Sequence, residues 1–317
     1  MTNDIFSVRH ELQRVMTNAD QTESQAILTG SAVADAGVYD EVLSGELEDL
    51  ETGDEGGQHW SAQDVALDDE VGAVTNELQR RALLLKGAYP FSLTGGTLTY
   101  TPTNNKFYEY LLSICMTPSL TKKPFVQLPR SFERVVALLI QLHLGDNWQH
   151  LHTGHPREKA NGTTFRQCIL KLSEISAGGR EWRWDPDPRY PPKPGIGGDG
   201  GLDFVIWRPS VDNRIGQLYV VGQCACGNDW PTKFNDLRVE PLEGWMRPVT
   251  EVPFIRCFST PFMMSDGNFM AAHKEAGWTL DRARLALFAH EASLDPRVVA
   301  LQPLFETMAL LVTSAAA

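Results

Sequence analysis

The sequence predicts an α/β protein in which a mixed β-sheet is flanked by helices and preceded by a mostly helical N-terminal region. Two observations carry this. Apolar residues recur at helical spacing in several segments, and two apolar runs, Leu202–Trp207 and Gln217–Cys224, are separated by a polar turn at Val211–Arg214, as expected of an antiparallel strand pair. In chain order, Ile5, Val8, Leu12 and Val15 or Met16 mark an opening helix. Glu77–Lys86 is an amphipathic helix stopped by Gly87, and Gly95-Gly96 turns a hairpin into Thr97–Thr101. Helices are predicted over Phe107–Met116, Phe132–Leu144 with Ser131 as its cap and Gly145 as its end, and Phe165–Ile175. A Pro- and Gly-rich connection, Gly178–Gly201, leads to the strand pair. Pro253–Phe258 is a further strand candidate, and Asp281–Ala292 and Val298–Leu311 close the chain as helices.

The chain has 317 residues, 42% of them hydrophobic, and a net charge of −12. That is enough apolar material for a proper core and excludes wholesale disorder. The acid is unevenly placed: Asp40–Glu70 holds 12 acidic residues and no Lys or Arg, which leaves 28 acids against 28 bases elsewhere. The global charge therefore does not exclude a nucleic-acid partner. The acidic stretch, which also carries Leu43, Leu47, Leu50 and Trp60, reads either as a solvated linker or as a segment that docks on a basic surface or holds a partner protein. Three regions follow: 1–70, an N-terminal helix and acidic arm; 71–128, a mostly helical accessory region; and 129–317, the main domain with its C-terminal helices. Met1–Gln13 lacks the unbroken apolar core of a secretory signal, no run of about 18 apolar residues exists, and five cysteines form an odd set. A cytoplasmic protein with reduced thiols and no membrane partner is expected.

The chemistry concentrates in Gly198-Asp199-Gly200-Gly201-Leu202-Asp203-Phe204-Val205 and Tyr219-Val220-Val221-Gly222-Gln223-Cys224-Ala225-Cys226. An acid that opens a buried strand is costly unless paired or metal-bound, and a second oxygen ligand on the neighbouring strand makes a site for a hard cation. These residues resemble the PD-(D/E)XK nuclease superfamily, especially its Mrr-like branch. The resemblance covers roughly Phe132–Phe234 and implies a restriction-endonuclease-like sheet for the domain 129–317. It implies Glu133 as the helix acid, Asp203 as the central metal ligand and Gln223 as the next-strand ligand, with Mg²⁺ or Mn²⁺ as cofactor. The family's lysine position is held by Ala225, so either Lys233 has taken over that role or the site is dead. The implied activity is hydrolysis of phosphodiester bonds in DNA by a bacterial anti-phage defence effector. The alternative is a catalytically silent nuclease-like subunit that binds nucleic acid or a partner protein in a larger defence or repair complex, and an oligomer or complex subunit is expected in either case.

Basic residues gather just before the metal turn. Arg157, Lys159, Arg180, Arg183 and Lys193, with Trp182, Trp184 and Tyr190 interleaved, read either as an ordinary surface or as a phosphate-tracking rim with stacking groups. Other chemistries fit less well. Gly195–Gly201 is followed by no Gly-Lys-Ser/Thr and precedes a strand, so it reads as a tight turn. A zinc site from His150, His152 and His155 with Cys168, Cys224 and Cys226 lacks any CxxC pair, and nothing around the cysteines resembles a protease signature.

Overall fold

The computed structural model describes residues 2–34, 58–117, 119–176, 182–184, 201–237, 246–248 and 254–316. Along the chain run α1 (Thr2–Thr29), β1 (Ser31–Val33), α2 (Gln58–Leu85), β2 (Phe91–Thr94), β3 (Thr97–Tyr100) and α3 (Phe107–Met116). The middle of the chain supplies α4 (Gln127–Leu144), β4 (Gln149–His152), α5 (Phe165–Ile175), β5 (Trp182–Trp184), β6 (Phe204–Arg208) and β7 (Leu218–Cys224). The last third holds β8 (Met246–Pro248), β9 (Ile255–Ser259), α6 (Asp266–Ala276), β10 (Trp278–Leu280), α7 (Arg282–Glu291), α8 (Pro296–Val299) and α9 (Gln302–Ala316). None of the described helices is long and apolar enough to cross a membrane.

The chain divides into two compact units. The first comprises Met1–Met116, Met263–Ser265 and Pro296–Ala317; the second comprises Thr117–Phe262 and Asp266–Asp295. In the first unit α1 packs on α2 around a buried ionic network. The fully buried Arg81 guanidinium meets Asp20 at 2.7 Å, Glu23 at 2.9 Å and Glu77 at 2.8 Å. Tyr89 and Tyr108 donate their hydroxyls to Glu23. Burial opposes the Arg81 charge, but the surrounding carboxylates more than offset it and hold its pKa well above the usual value. Strands β1, β3 and β2 form an antiparallel sheet in that order. The β2–β3 turn needs Gly95 and Gly96 because both take positive φ, +56° and +79°, as a two-residue hairpin turn requires. Phe305 of α9 seats against Phe107 and Tyr110 of α3, with ring centroids 5.2 Å apart in each pair.

In the second unit the sheet runs β10-β9-β7-β6-β4. The β4/β6 and β6/β7 pairs are antiparallel, whereas β7/β9 and β9/β10 are parallel. The sheet is therefore mixed, and the antiparallel reading of the central pair is correct, with Phe204 opposite Gly222. Both faces of β6 and β7 are buried, which is why these strands read as continuous apolar runs. One face packs Val205, Trp207, Tyr219 and Val221 against Phe165, Ile169 and Leu172 of α5. Helix α5 starts on a capping box, with Thr164 Oγ1 accepting from Gln167 N and the Gln167 side chain returning to Thr164 N. Helix α4 packs on β4, β6 and β7. Gly222 has no room for a side chain, since a Cβ there would lie 1.9 Å from the Phe204 ring.

Several boundaries depart from the sequence reading. Helix α4 begins at Gln127, so Ser131 is not its cap; its hydroxyl bonds back to Gln127 O at 2.9 Å inside the helix. Pro129 does not prevent this because it sits in the first turn, where its missing N–H has no helical partner to lose. Helix α2 begins at Gln58 rather than Glu77, so residues 58–70 of the acidic arm are helical and the expected boundary at residue 70 falls inside an element. Glu70 is bound by Arg14 and Asn18. The closing helix over Val298–Leu311 is broken into α8 and α9, because Pro303 belongs in the first turn of a new helix. The region 129–317 also divides, since Met263–Ser265 and Pro296–Ala317 join the first unit. Arg180, Lys193, Asp199, the glycines before Gly201 and residues 40–57 of the acidic stretch lie outside the described residues.

Candidate active site

Asp203 stands at the point where three strands of the second unit meet. Its N–H donates to Gly222 O at 2.9 Å, and its carbonyl accepts from Thr153 N at 2.8 Å and Gly154 N at 3.0 Å. The backbone is thereby tied to β7 on one side and to the end of β4 on the other. Just upstream, Gly201 takes φ +79° with Asp236 O packed 3.0 Å from where a Cβ would be, so the turn into Asp203 requires glycine. The carboxylate is oriented too: Cys224 N donates to Asp203 Oδ2 at 2.7 Å.

Glu133 reaches the same place from α4. A Cβ built on Gly154 would lie 2.3 Å from Glu133 Oε2 and 3.1 Å from Asp203 Oδ1. The Glu133 carboxylate thus takes the room that a side chain at residue 154 would need, close to Asp203 Oδ1. His152 Nε2 lies 2.8 Å from Glu133 Oε2, so with the carboxylate as acceptor this ring nitrogen carries the proton. The His152 ring is buried and the Glu133 side chain is only 16% exposed, so the bond holds Glu133 in place. Two carboxylates this close repel unless a proton or cation lies between them. The charge also registers on Cys224, whose thiol is pushed well above its ordinary pKa first by burial and then by Asp203 and Glu133. Burial and the two carboxylates thus disfavour the Cys224 thiolate.

The other sequence candidates are placed differently. Gln223 precedes Cys224 on β7 and so projects to the opposite face from it, where its Oε1 accepts from Leu237 N at 3.3 Å. Lys233, after the short 3₁₀ turn Trp230–Thr232, pairs with Asp229 at 3.3 Å and with neither site carboxylate. Arg157 is not a rim cation: it is 8% exposed, and its guanidinium lies over the Phe165 ring, 5.5 Å from the centroid. Lys159 is exposed, and Arg183 lies on β5 opposite Arg247. The imagined zinc set is dispersed: His150 Nδ1 meets Gln141 Oε1, Cys168 Sγ points to His152 O, and all five cysteines are free. Among the described residues no group of three or more His, Cys, Asp or Glu is arranged to hold a metal ion.

Sequence reasoning missed β4, because Gln149-His150-Leu151-His152 reads as a polar loop, and with it the His152–Glu133 contact. The available signal was Gly154 at the end of an alternating segment, a mark of close approach. The donor set suits Mg²⁺ better than softer ions. Mg²⁺ keeps several of its waters and is bound through one or two carboxylates, the donors that Glu133 and Asp203 would offer. No protein-family model, curated protein or solved structure matches the chain.

Proposed function

We propose that this protein is a Mg²⁺- or Mn²⁺-dependent nuclease of the PD-(D/E)XK type that hydrolyses phosphodiester bonds in DNA, acting in the cytoplasm as an anti-phage effector. The observation that carries the reading is the convergence of Glu133 and Asp203 on the space left by Gly154. The order of elements supports it: an acid on a helix, an Asp at the opening of a strand, and an antiparallel neighbour within a mixed sheet. The defence setting follows from the sequence resemblance.

Glu133 and Asp203 would hold the metal, which supplies a polarised phosphate and a more acidic bound water. The chain's own residues fix the two carboxylates: Cys224 N holds Asp203, and His152 holds Glu133. Gly154 leaves the room that the Glu133 carboxylate takes. Lys233 remains the candidate for stabilising charge on the phosphorus. Its pair with Asp229 is largely exposed, and such pairs contribute at most about 1 kcal/mol, so a substrate phosphate can displace the partner.

The test is cleavage of plasmid, linear duplex and single-stranded DNA with Mg²⁺, Mn²⁺ or EDTA. Wild type is expected to cut only with metal. Asp203→Ala and Glu133→Gln are each expected to lose at least about 100-fold, since each removes an electrostatic contribution of a few kcal/mol. Undiminished cleavage by Asp203→Ala overturns the assignment.

A second reading is favoured by a specific observation. Ala225 in the lysine position, the Gln223 contact with Leu237 and the Lys233 pair with Asp229 support the alternative of a silent nuclease-like subunit that binds nucleic acid or a protein partner. DNA binding without cleavage of any substrate is its expected signature.

A further inference from the structure

Of the cations first assigned to a phosphate rim, Arg157 is buried over the Phe165 ring, and another basic set lies on and just before α4. Arg130 precedes Glu133 by three residues on α4, so the two share one helix face with Cβ atoms about 5–6 Å apart. It is half-buried and, among the described residues, makes no ion pair. Helical side chains lean toward the N-terminus, so Arg130 extends toward the turn that enters α4. That turn carries Lys122 and Lys123, both exposed and likewise without an ion pair among the described residues; it is closed by Val126 N donating to Lys122 O at 3.0 Å. The positive end of the α4 dipole lies at the same place. The next basic residue along the helix, Arg134, is already committed to Pro156 O at 3.2 Å and to Glu158 at 3.6 Å, and so holds the loop after Gly154.

We infer that Lys122, Lys123 and Arg130 form the track along which a nucleic-acid backbone reaches the Glu133–Asp203 site, with Arg130 gripping the phosphate nearest the carboxylates. The inference rests on the nuclease reading and deepens it, because it names the surface that binds substrate. A polyanion needs such a track here, since the carboxylate pair alone repels phosphate. Three phosphate contacts of this kind supply sequence-independent, salt-sensitive affinity.

The experiment uses the full chain in EDTA, so that binding is read without cleavage, with fluorescein-labelled 30-mer duplex and single-stranded DNA followed by anisotropy at several salt concentrations. Lys122→Ala/Lys123→Ala/Arg130→Ala is expected to bind at least about ten-fold more weakly, with a salt slope about one unit shallower for each phosphate no longer neutralised. Lys122→Glu/Lys123→Glu, which leaves the helix untouched, is expected to weaken binding by at least as much. If wild type binds and both basic variants match it, the track is wrong while the nuclease reading stands. If wild type neither binds nor cleaves DNA, both fall.

Discussion

Gly154 shows how much of a site can depend on an absent side chain. Its hydrogen leaves the room in which Glu133 and Asp203 face each other, and a methyl group at that Cβ would stand 2.3 Å from Glu133 Oε2. Gly154→Ala is therefore expected to push Glu133 off its His152 partner and lower cleavage at least about ten-fold, the scale on which misplacing a catalytic group acts. The fold should stay intact, because what must move is the far end of a flexible glutamate; circular dichroism and a metal-dependent cleavage assay check both halves. The same steric logic explains Gly222, where the obstacle is the buried Phe204 ring rather than a movable carboxylate. Asp203 is legible from sequence because an acid opening an apolar strand demands a partner. Its neighbours Thr153, Gly154 and Cys224 are not, because they meet it through strand register.

Among the elements, the α1–α2 pair depends on one cation. Arg81 is fully buried between Asp20, Glu23 and Glu77, and removing it leaves those carboxylates without their counter-charge. Arg81→Met is expected to cost about 3–5 kcal/mol in urea unfolding, the range for breaking a buried ionic cluster by deleting one partner. Helices with strong local signals are read well: α5 and α7 lie within a residue or two of their expected bounds, and the Gly95-Gly96 hairpin forms as expected. Elements whose signal is tertiary are not. Strand β4 is polar on its exposed side and lies at the sheet edge against β6, and the first half of α2 is hidden in sequence by its acids, one of which, Glu70, is met in the fold by Arg14 and Asn18 of α1.

For the molecule as a whole, the charge of −12 divides more finely than the sequence implies. Of the 12 acids between residues 40 and 70, four lie in residues 58–70, within α2, and eight in residues 40–57. Deleting 40–57 is expected to raise DNA affinity or abolish a partner contact, checked by anisotropy and pull-down. Deleting 40–70 is expected to destabilise the protein as well, because it removes the start of α2 and the Glu70 contacts. The sequence by itself determined the mixed α/β character, the antiparallel β6–β7 pair and Asp203 as the residue that needs explaining, because periodicity and turn chemistry are local. Tertiary structure decided which acid faces it, turned Gln223 to Leu237, set Arg157 over the Phe165 ring and joined both ends of the chain in one unit. Those outcomes depend on strand register and on which faces pack together, and neither is encoded in the spacing of residues along any single segment.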